Sequence, residues 1–240
     1  GESGITWSGT DASVYITAGQ QVHIDGPVFA SDQLDIVGGT PGDDDDNISV
    51  LVSTRAGLSS GGYTSDATGG QVRVSAVGDL EIMGHVVGGG TLTQTFDEDG
   101  DLESQSVNWS DDGGSVNITA SGRAYLGGTT INEGGDPVAT GGYVSAANLI
   151  EITGGSHSSG TATLIHAASE LVTSDADSSI RVVGQAGDVE MLGTMLPGGE
   201  IDPVYDDAGR YVGRRLNNFG GASSAIIEAA HQIRVGQDIT

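Results

Sequence analysis

The chain has 240 residues, of which 33 are acidic and eight are basic, and its formal net charge is −25. A field this negative repels nucleic acid and anionic lipid, which excludes both as partners. The absence of cysteine excludes disulfides and thiolate metal sites, and no run of about 18 apolar residues predicts a membrane span. Glycine contributes 41 residues and aromatics only 5%, a composition that favours many turns around a thin core.

Short strands with alternating apolar side chains recur along the chain. The first two are VYITA at 14–18 and VHIDG at 22–26. Copies follow at 72–76, 80–84, 116–120, 144–146, 150–154, 180–184 and 189–193. Period-two alternation places Val, Ile and Leu on one face of each strand and polar side chains on the other. Strands this short cannot build a wide sheet, but they can stack as the turns of a solenoid.

The pattern therefore predicts an all-β fold, a parallel β-helix that forms one segment over 1–240. The chain starts without a methionine or a signal peptide, and no capping turn is evident, so we expect it to belong to a longer protein or filament. The predicted core is a stack of aliphatic side chains: Val72, Val74, Leu80, Ile82, Val116, Ile118, Ile180 and Val182.

Two excursions interrupt the strand pattern. VRVSAVGDLEIMG at 72–84 and IRVVGQAGDVEMLG at 180–193 are near copies, and each precedes a segment with an Asp/Gly turn between polar, alternating strands. Such a turn predicts a β-hairpin. We expect hairpins over about 88–112 and 197–219, projecting from the same corner of the solenoid, and loops at 40–47 and 133–142.

Acidic side chains that alternate along two segments are the candidate metal ligands. Hard cations such as calcium take several carboxylate oxygens, and this spacing offers them. For the first hairpin, the alternative to calcium binding is a turn without a ligand, because the second hairpin keeps the Asp/Gly turn but lacks the acidic residues that follow it in the first. For the loop at 40–47, the alternative is a run of charged side chains that are exposed to water. The candidates are Asp97, Asp99, Asp101 and Glu103 in the first hairpin and Asp43 and Asp45 in the loop.

No other motif in the sequence indicates a catalytic or metal-binding site. The histidines are spread along the chain without a ligand or relay spacing. Trp109, just after the first excursion, offers a ring for sugar stacking or a cover for the hairpin base. The sequence therefore predicts no catalytic residue, no required cofactor and no enzyme.

The repeated V-x-I-x-A-x-x-x-V-x-I-x-G pattern, clearest at 14–28, 72–86 and 116–128, resembles the filamentous haemagglutinin type of repeat in two-partner-secreted adhesins. The resemblance covers most of the chain apart from the two excursions and the two loops. It implies an elongated right-handed β-helix, export to the bacterial cell surface and attachment to cells or surfaces. It implies no catalytic residues.

These observations predict a structural or adhesive segment of an extracellular bacterial surface protein or filament. Expected partners are other copies of the chain, stacked end to end or laterally, and cell-surface glycans or proteins. The rival interpretation is a secreted β-helical polysaccharide lyase or glycoside hydrolase, which would need paired carboxylates or a basic side chain beside bound calcium.

Overall fold

A computed structural model describes residues 5–6, 12–41, 47–61, 69–96, 102–110, 113–131, 137–205, 211–218 and 221–236. Every regular element in these ranges is a β-strand, so the fold is all-β. Within the same ranges, no helix is long and apolar enough to span a membrane. Most strands belong to three parallel sheets, and the strands are numbered in chain order.

Sheet I contains short strands with small or aliphatic inner side chains. Its strands, in spatial order, are β1 (Ile5–Thr6), β4 (Val28–Ala30), β7 (Gly57–Ser60), β10 (His85–Gly88), β17 (Tyr143–Ala146), β20 (Glu170–Thr173) and β23 (Thr194–Leu196). Leu58 pairs with Val28 on one side and with Val86 on the other, so apolar positions lie in line across the sheet.

Sheet II contains the longest parallel strands and the clearest alternation of inner and outer side chains. Its strands are β2 (Val14–Ala18), β5 (Gln33–Gly38), β8 (Gly70–Ala76), β13 (Gly114–Ala120), β18 (Leu149–Gly154), β21 (Ser179–Gly184) and β26 (Ser224–Ala229). Val116 pairs with Val72 and with Ile150, which keeps the aliphatic rows continuous.

Sheet III completes the set with seven more parallel strands. They are β3 (Val22–Ile24), β6 (Ile48–Val52), β9 (Asp79–Ile82), β14 (Ala124–Leu126), β19 (Thr161–Ile165), β22 (Asp188–Met191) and β27 (Ile233–Val235). Ile82 pairs with Val52 and with Leu126, so this sheet also carries a continuous inner row.

From β2 onward, strands of the three parallel sheets follow one another in a fixed order of sheet II, sheet III and sheet I. We call one such passage a circuit, the first being β2, β3 and β4. Each strand hydrogen-bonds to the strand of the next circuit in the same sheet. Inner side chains of all three sheets merge into one apolar cluster. The eight predicted core residues are all buried in it: Val72, Val74, Leu80, Ile82, Val116, Ile118, Ile180 and Val182.

Buried hydroxyl groups connect circuits at the corners. The Ser49 hydroxyl donates to the carbonyl of Gly39 at 2.6 Å and accepts from the N–H of Gly78 at 2.7 Å. The Ser169 hydroxyl donates to the carbonyl of Leu126 at 2.9 Å. The Ser49 hydroxyl thus pairs with corner backbone groups that lie within the stack, and the Ser169 hydroxyl gives the Leu126 carbonyl a second donor beside the N–H of His166.

Three antiparallel pairs are inserted between the parallel strands: β11 (Gly90–Phe96) with β12 (Leu102–Trp109), β15 (Gly128–Ile131) with β16 (Pro137–Thr140), and β24 (Gly199–Tyr205) with β25 (Tyr211–Asn218). The first and third pairs fall within the segments predicted as hairpins, and both follow a sheet I strand and precede a sheet II strand. The middle pair corrects the prediction of a loop at 133–142. Its strand β16 is largely exposed, so the sequence there carries no alternation of buried and exposed residues.

The first hairpin does not project freely, which corrects a second prediction. Its strand β11 lies against β7, and its side chains Leu92 and Gln94 occupy the space over Gly57. Strand β24 of the third pair lies beside β20 in the same way. The alternation in β11 explains the docking, because Leu92, Gln94 and Phe96 share one face, which packs on sheet I.

Glycines at the base of the first hairpin allow two backbone segments to meet. Gly89 and Gly113 both adopt positive φ, 84° and 79°. A Cβ atom on Gly114 would lie 2.2 Å from the Cα of Gly89. Only glycine combines this backbone conformation with so close an approach.

Candidate functional site

The predicted calcium ligands fall outside what the structure describes. Glu103 lies in β12, but its side chain is not described. The remaining candidates lie outside the described residues: Asp43, Asp45, Asp97, Asp99 and Asp101. Both calcium sites therefore remain predictions. Within the described ranges, no group of three or more His, Cys, Asp or Glu side chains is arranged to hold a metal ion.

A buried carboxylate, Asp79, connects several circuits at the corner between sheets II and III. Its side chain is 5% exposed. Asp79 Oδ1 accepts from the backbone N–H of Arg123 at 2.7 Å and from Asn47 Nδ2 at 3.4 Å, and Oδ2 lies 3.2 Å from His157 Nε2. Asn47, Asp79, Arg123 and His157 come from four consecutive circuits, so one side chain holds the corners of the stack together.

Ser159 extends this contact into a Ser–His–Asp chain, because its hydroxyl lies 2.6 Å from His157 Nδ1. An esterase would also need free N–H donors for an oxyanion. The Ser159 N–H instead bonds His157 Nδ1 at 3.1 Å, and the Gly160 N–H bonds the His157 carbonyl at 3.0 Å. Both nearby donors are therefore used to close the turn. We interpret the arrangement as a corner clamp rather than a nucleophile.

The same clamp occurs a second time, in the near-copy of the segment. Asp188 occupies the position of Asp79 after a Gly at the start of a sheet III strand. Asp188 Oδ1 accepts from the backbone N–H of Gln232 at 3.1 Å and lies 3.9 Å from His231 Nδ1. Its side chain is 34% exposed, so the second copy is more open to water than the first.

The outer face of sheet II carries an exposed polar row. Glu151 forms an ion pair with Arg181, whose Nη2 atom also lies 2.6 Å from Glu228 Oε2. Asn117 Nδ2 donates to Glu151 at 3.4 Å. Charges of both signs thus pair with one another along the outer face of this sheet.

An aromatic stack lies on the outer face of sheet I. The rings of His85 and Tyr143 are parallel within 5°, with centroids 4.6 Å apart. Although His85 faces outward, as its strand position predicts, it is buried. Burial lowers the pKa of His85 to about 4, so this ring is neutral at physiological pH.

A concave site lies where the first hairpin covers sheet I. The pocket has a cavity volume of about 70 Å³, well below the range for ligand sites. The side chain of Gln94 contributes a buried Nε2 atom that has no hydrogen-bond partner among the described residues. The pocket is lined chiefly by Pro27, Phe29, Ser59, Leu92, Gln94 and Phe96.

Sequence reasoning missed this pocket because its two walls are far apart in the chain. The available signal was the alternation in β11, where Leu92, Gln94 and Phe96 alternate with Thr93 and Thr95. That pattern marks one face for burial, but it does not say which surface the face will cover.

Comparison with known proteins gives no further identification. No family model, no curated protein and no solved structure matches the chain.

Proposed function

We propose that the chain is a segment of a right-handed parallel β-helix that serves as an elongated structural and adhesive element of an extracellular bacterial surface protein. In this proposal each circuit is one turn of the helix, and sheets I, II and III are its three faces. Calcium binding by the acidic segments is an accessory to this role and not a requirement.

The observation that supports this proposal is the parallel stacking of the strands of each sheet on their counterparts in successive circuits. Seven strands in each sheet at about 4.8 Å span about 30 Å along the stack. The repeated corner clamps and buried hydroxyls also act between circuits, so most polar contacts inside the corners serve the stack itself. A repeated architecture of this kind extends by adding turns.

In this proposal the partners are other copies of the chain, stacked end to end or laterally, and cell-surface glycans or proteins.

Immunogold electron microscopy of producing cells, with an antibody raised against this segment, tests the proposal. We expect gold particles along fibres or sheaths outside the cell. Label in the cytoplasm, or only on compact particles in the medium, would contradict a structural surface role.

The rival function, cleavage of polysaccharides, is tested separately by incubating the purified chain with neutral and acidic polysaccharides. We expect no new reducing ends. Turnover that a single Asp→Asn substitution abolishes would replace the structural proposal with an enzymatic one.

A further inference from the structure

The outer face of sheet II differs in charge from the rest of the chain. The chain has a net charge of −25, yet the seven strands of this sheet carry only three carboxylates and two arginines. Exposed apolar groups accompany this near-neutral charge, and the two together are typical of a surface that contacts another protein. Four of the eight exposed large apolar side chains among the described residues lie on this face: Tyr15, Val37, Leu149 and Ile226.

The middle row of this face has an order of charges that is complementary to its own reverse. Successive strands pair in register, so one outward-facing position of each strand contributes to a straight row. One strand away from the central Asn117, Arg73 on one side corresponds to Glu151 on the other. Two strands away, Asp35 corresponds to Arg181. From the first strand to the last, the row is Tyr15, Asp35, Arg73, Asn117, Glu151, Arg181 and Ile226.

Apolar side chains follow the same relation. Tyr15 and Ile226 lie at equal distances from the centre of the middle row. In the neighbouring row, which is centred on Thr119, Val37 corresponds to Val183. Two such faces opposed in reverse order would therefore bring apolar groups together and place each charge opposite one of the other sign.

We propose that the outer face of sheet II binds the same face of a second copy of the chain, with the two stacks antiparallel. The two-fold axis runs along β13, so each residue of one copy faces its counterpart from the other side of the centre. Arg73 of each copy then faces Glu151 of the other. This inference rests on the self-association proposed above and deepens it by naming the face and the orientation.

The same charges disfavour a parallel arrangement of the two stacks. In that arrangement equal circuits would be opposed, so Arg73 would face Arg73 and Glu151 would face Glu151, and like charges across an interface repel. Within the described part of the chain, Arg73 is exposed, donates to Gln71 Oε1 at 2.9 Å and forms no ion pair. Its guanidinium group is therefore available to a carboxylate of the second copy.

The face has the size that a weak, reversible dimer requires. Its seven strands at about 4.8 Å, with five residues each at about 3.3 Å, give about 500 Å² on each copy. Two such faces bury about 1,000 Å², at the lower limit for a specific contact. The net charge of −25 opposes association at low salt, but the screening length of about 8 Å at physiological ionic strength removes most of this long-range repulsion.

Sedimentation equilibrium of the purified chain, at about 0.5 mM and physiological salt, tests the association. We expect a reversible equilibrium between monomer and dimer. Arg73→Glu should weaken it at least about tenfold, because the substitution places like charges at two contacts of the symmetric dimer. Arg55→Glu makes the same charge change at an exposed residue outside sheet II and should leave it unchanged. Monomers alone in the unmodified chain, or equal weakening by both substitutions, overturn the proposal.

Cross-linking of single-cysteine variants tests the orientation, because the chain has no cysteine of its own. Gln33→Cys and Ser179→Cys lie on the outer face, two strands to either side of β13. Antiparallel stacks bring these two positions face to face, within reach of a bismaleimide that spans the gap of about 10 Å between packed sheets. Equal positions of the two copies are instead about 19 Å apart along the stack. We expect covalent dimers from a mixture of the two variants and none from either alone. Dimers from Gln33→Cys alone, or none from the mixture, overturn the antiparallel arrangement.

Failure of this pairing is distinguishable from failure of the structural role. Sedimentation and cross-linking report contact between purified chains and do not depend on where the protein resides. Immunogold labelling reports location and fibre formation and does not depend on this face. Labelled fibres outside the cell, with a chain that stays monomeric in solution, would leave the structural role in place and remove the assignment of the face.

Discussion

The paired corner clamps allow one substitution to be compared at two equivalent positions. Asp79 and Asp188 both start sheet III strands, and each accepts from a backbone N–H of the following circuit. They differ in exposure, at 5% and 34% of the side chain. We expect Asp79→Ala to destabilise the protein far more than Asp188→Ala.

The expected loss in the free energy of unfolding follows from the polar groups that lose the carboxylate as their partner. Asp79→Ala leaves the part-buried N–H of Arg123 without an acceptor, which costs about 1–3 kcal/mol. Loss of the contact with His157, which is 20% exposed, adds about 0–1 kcal/mol. The expected loss is therefore about 1–4 kcal/mol. At Asp188 the freed N–H of Gln232 is exposed and can bond water, so the loss should stay below about 1 kcal/mol.

Urea unfolding followed by circular dichroism at neutral pH measures both variants. Asp79→Asn is the control, since an amide oxygen still accepts from Arg123, and it should lose less than Asp79→Ala. Equal losses at the two aspartates, or a loss below about 1 kcal/mol for Asp79→Ala, would refute the reasoning, because burial would then not govern the strength of the clamp.

Three further predictions concern the pH dependence, a hairpin base and the core. Because burial lowers the pKa of His85 from 6.5 to about 4, stability present above pH 6.5 should be lost as the pH falls towards 4, by about 3 kcal/mol at most. The difference between His85→Phe and the unmodified chain across that pH range measures this. Gly114→Ala should lower the melting temperature, since its methyl group would meet the backbone of Gly89; an unchanged melt contradicts the close approach. Ile118→Ala should cost about 2–5 kcal/mol in urea unfolding, and Thr119→Ala, next to it on the outer face, under about 0.5.

The stacked strands could be predicted from the sequence because their signal is local. In 116–120, Val116 and Ile118 alternate with Asn117 and Thr119, and the structure buries the first two in the core. Period-two alternation within five residues is sufficient to assign a strand and its inner face. The near-copies at 72–84 and 180–193 likewise pointed to equivalent corners, which the two aspartate clamps now occupy.

The pocket and the clamp could not be predicted because both depend on contacts between distant segments. His157 reaches Asp79 across an intervening circuit, and neither residue lies in a motif that links them. Gln94 meets Gly57 only because the hairpin folds back on sheet I. Docking of a hairpin depends on which apolar surface is exposed nearby, and that surface exists only after the circuits have formed.

The unequal spacing between equivalent strands has a consequence for how the chain finds its alignment. In sheet II, Val14 pairs with Leu34, whereas Ile180 pairs with Ala225 far along the chain. Identical, evenly spaced repeats would permit a strand to pair with the wrong neighbour at little energetic cost, and the error would propagate. Inserted hairpins lengthen three of the circuits, so a strand that slips by one repeat leaves an insertion with no corner to accommodate it. The insertions thus distinguish the circuits from one another. They favour the one strand alignment in which every row of inner side chains is continuous.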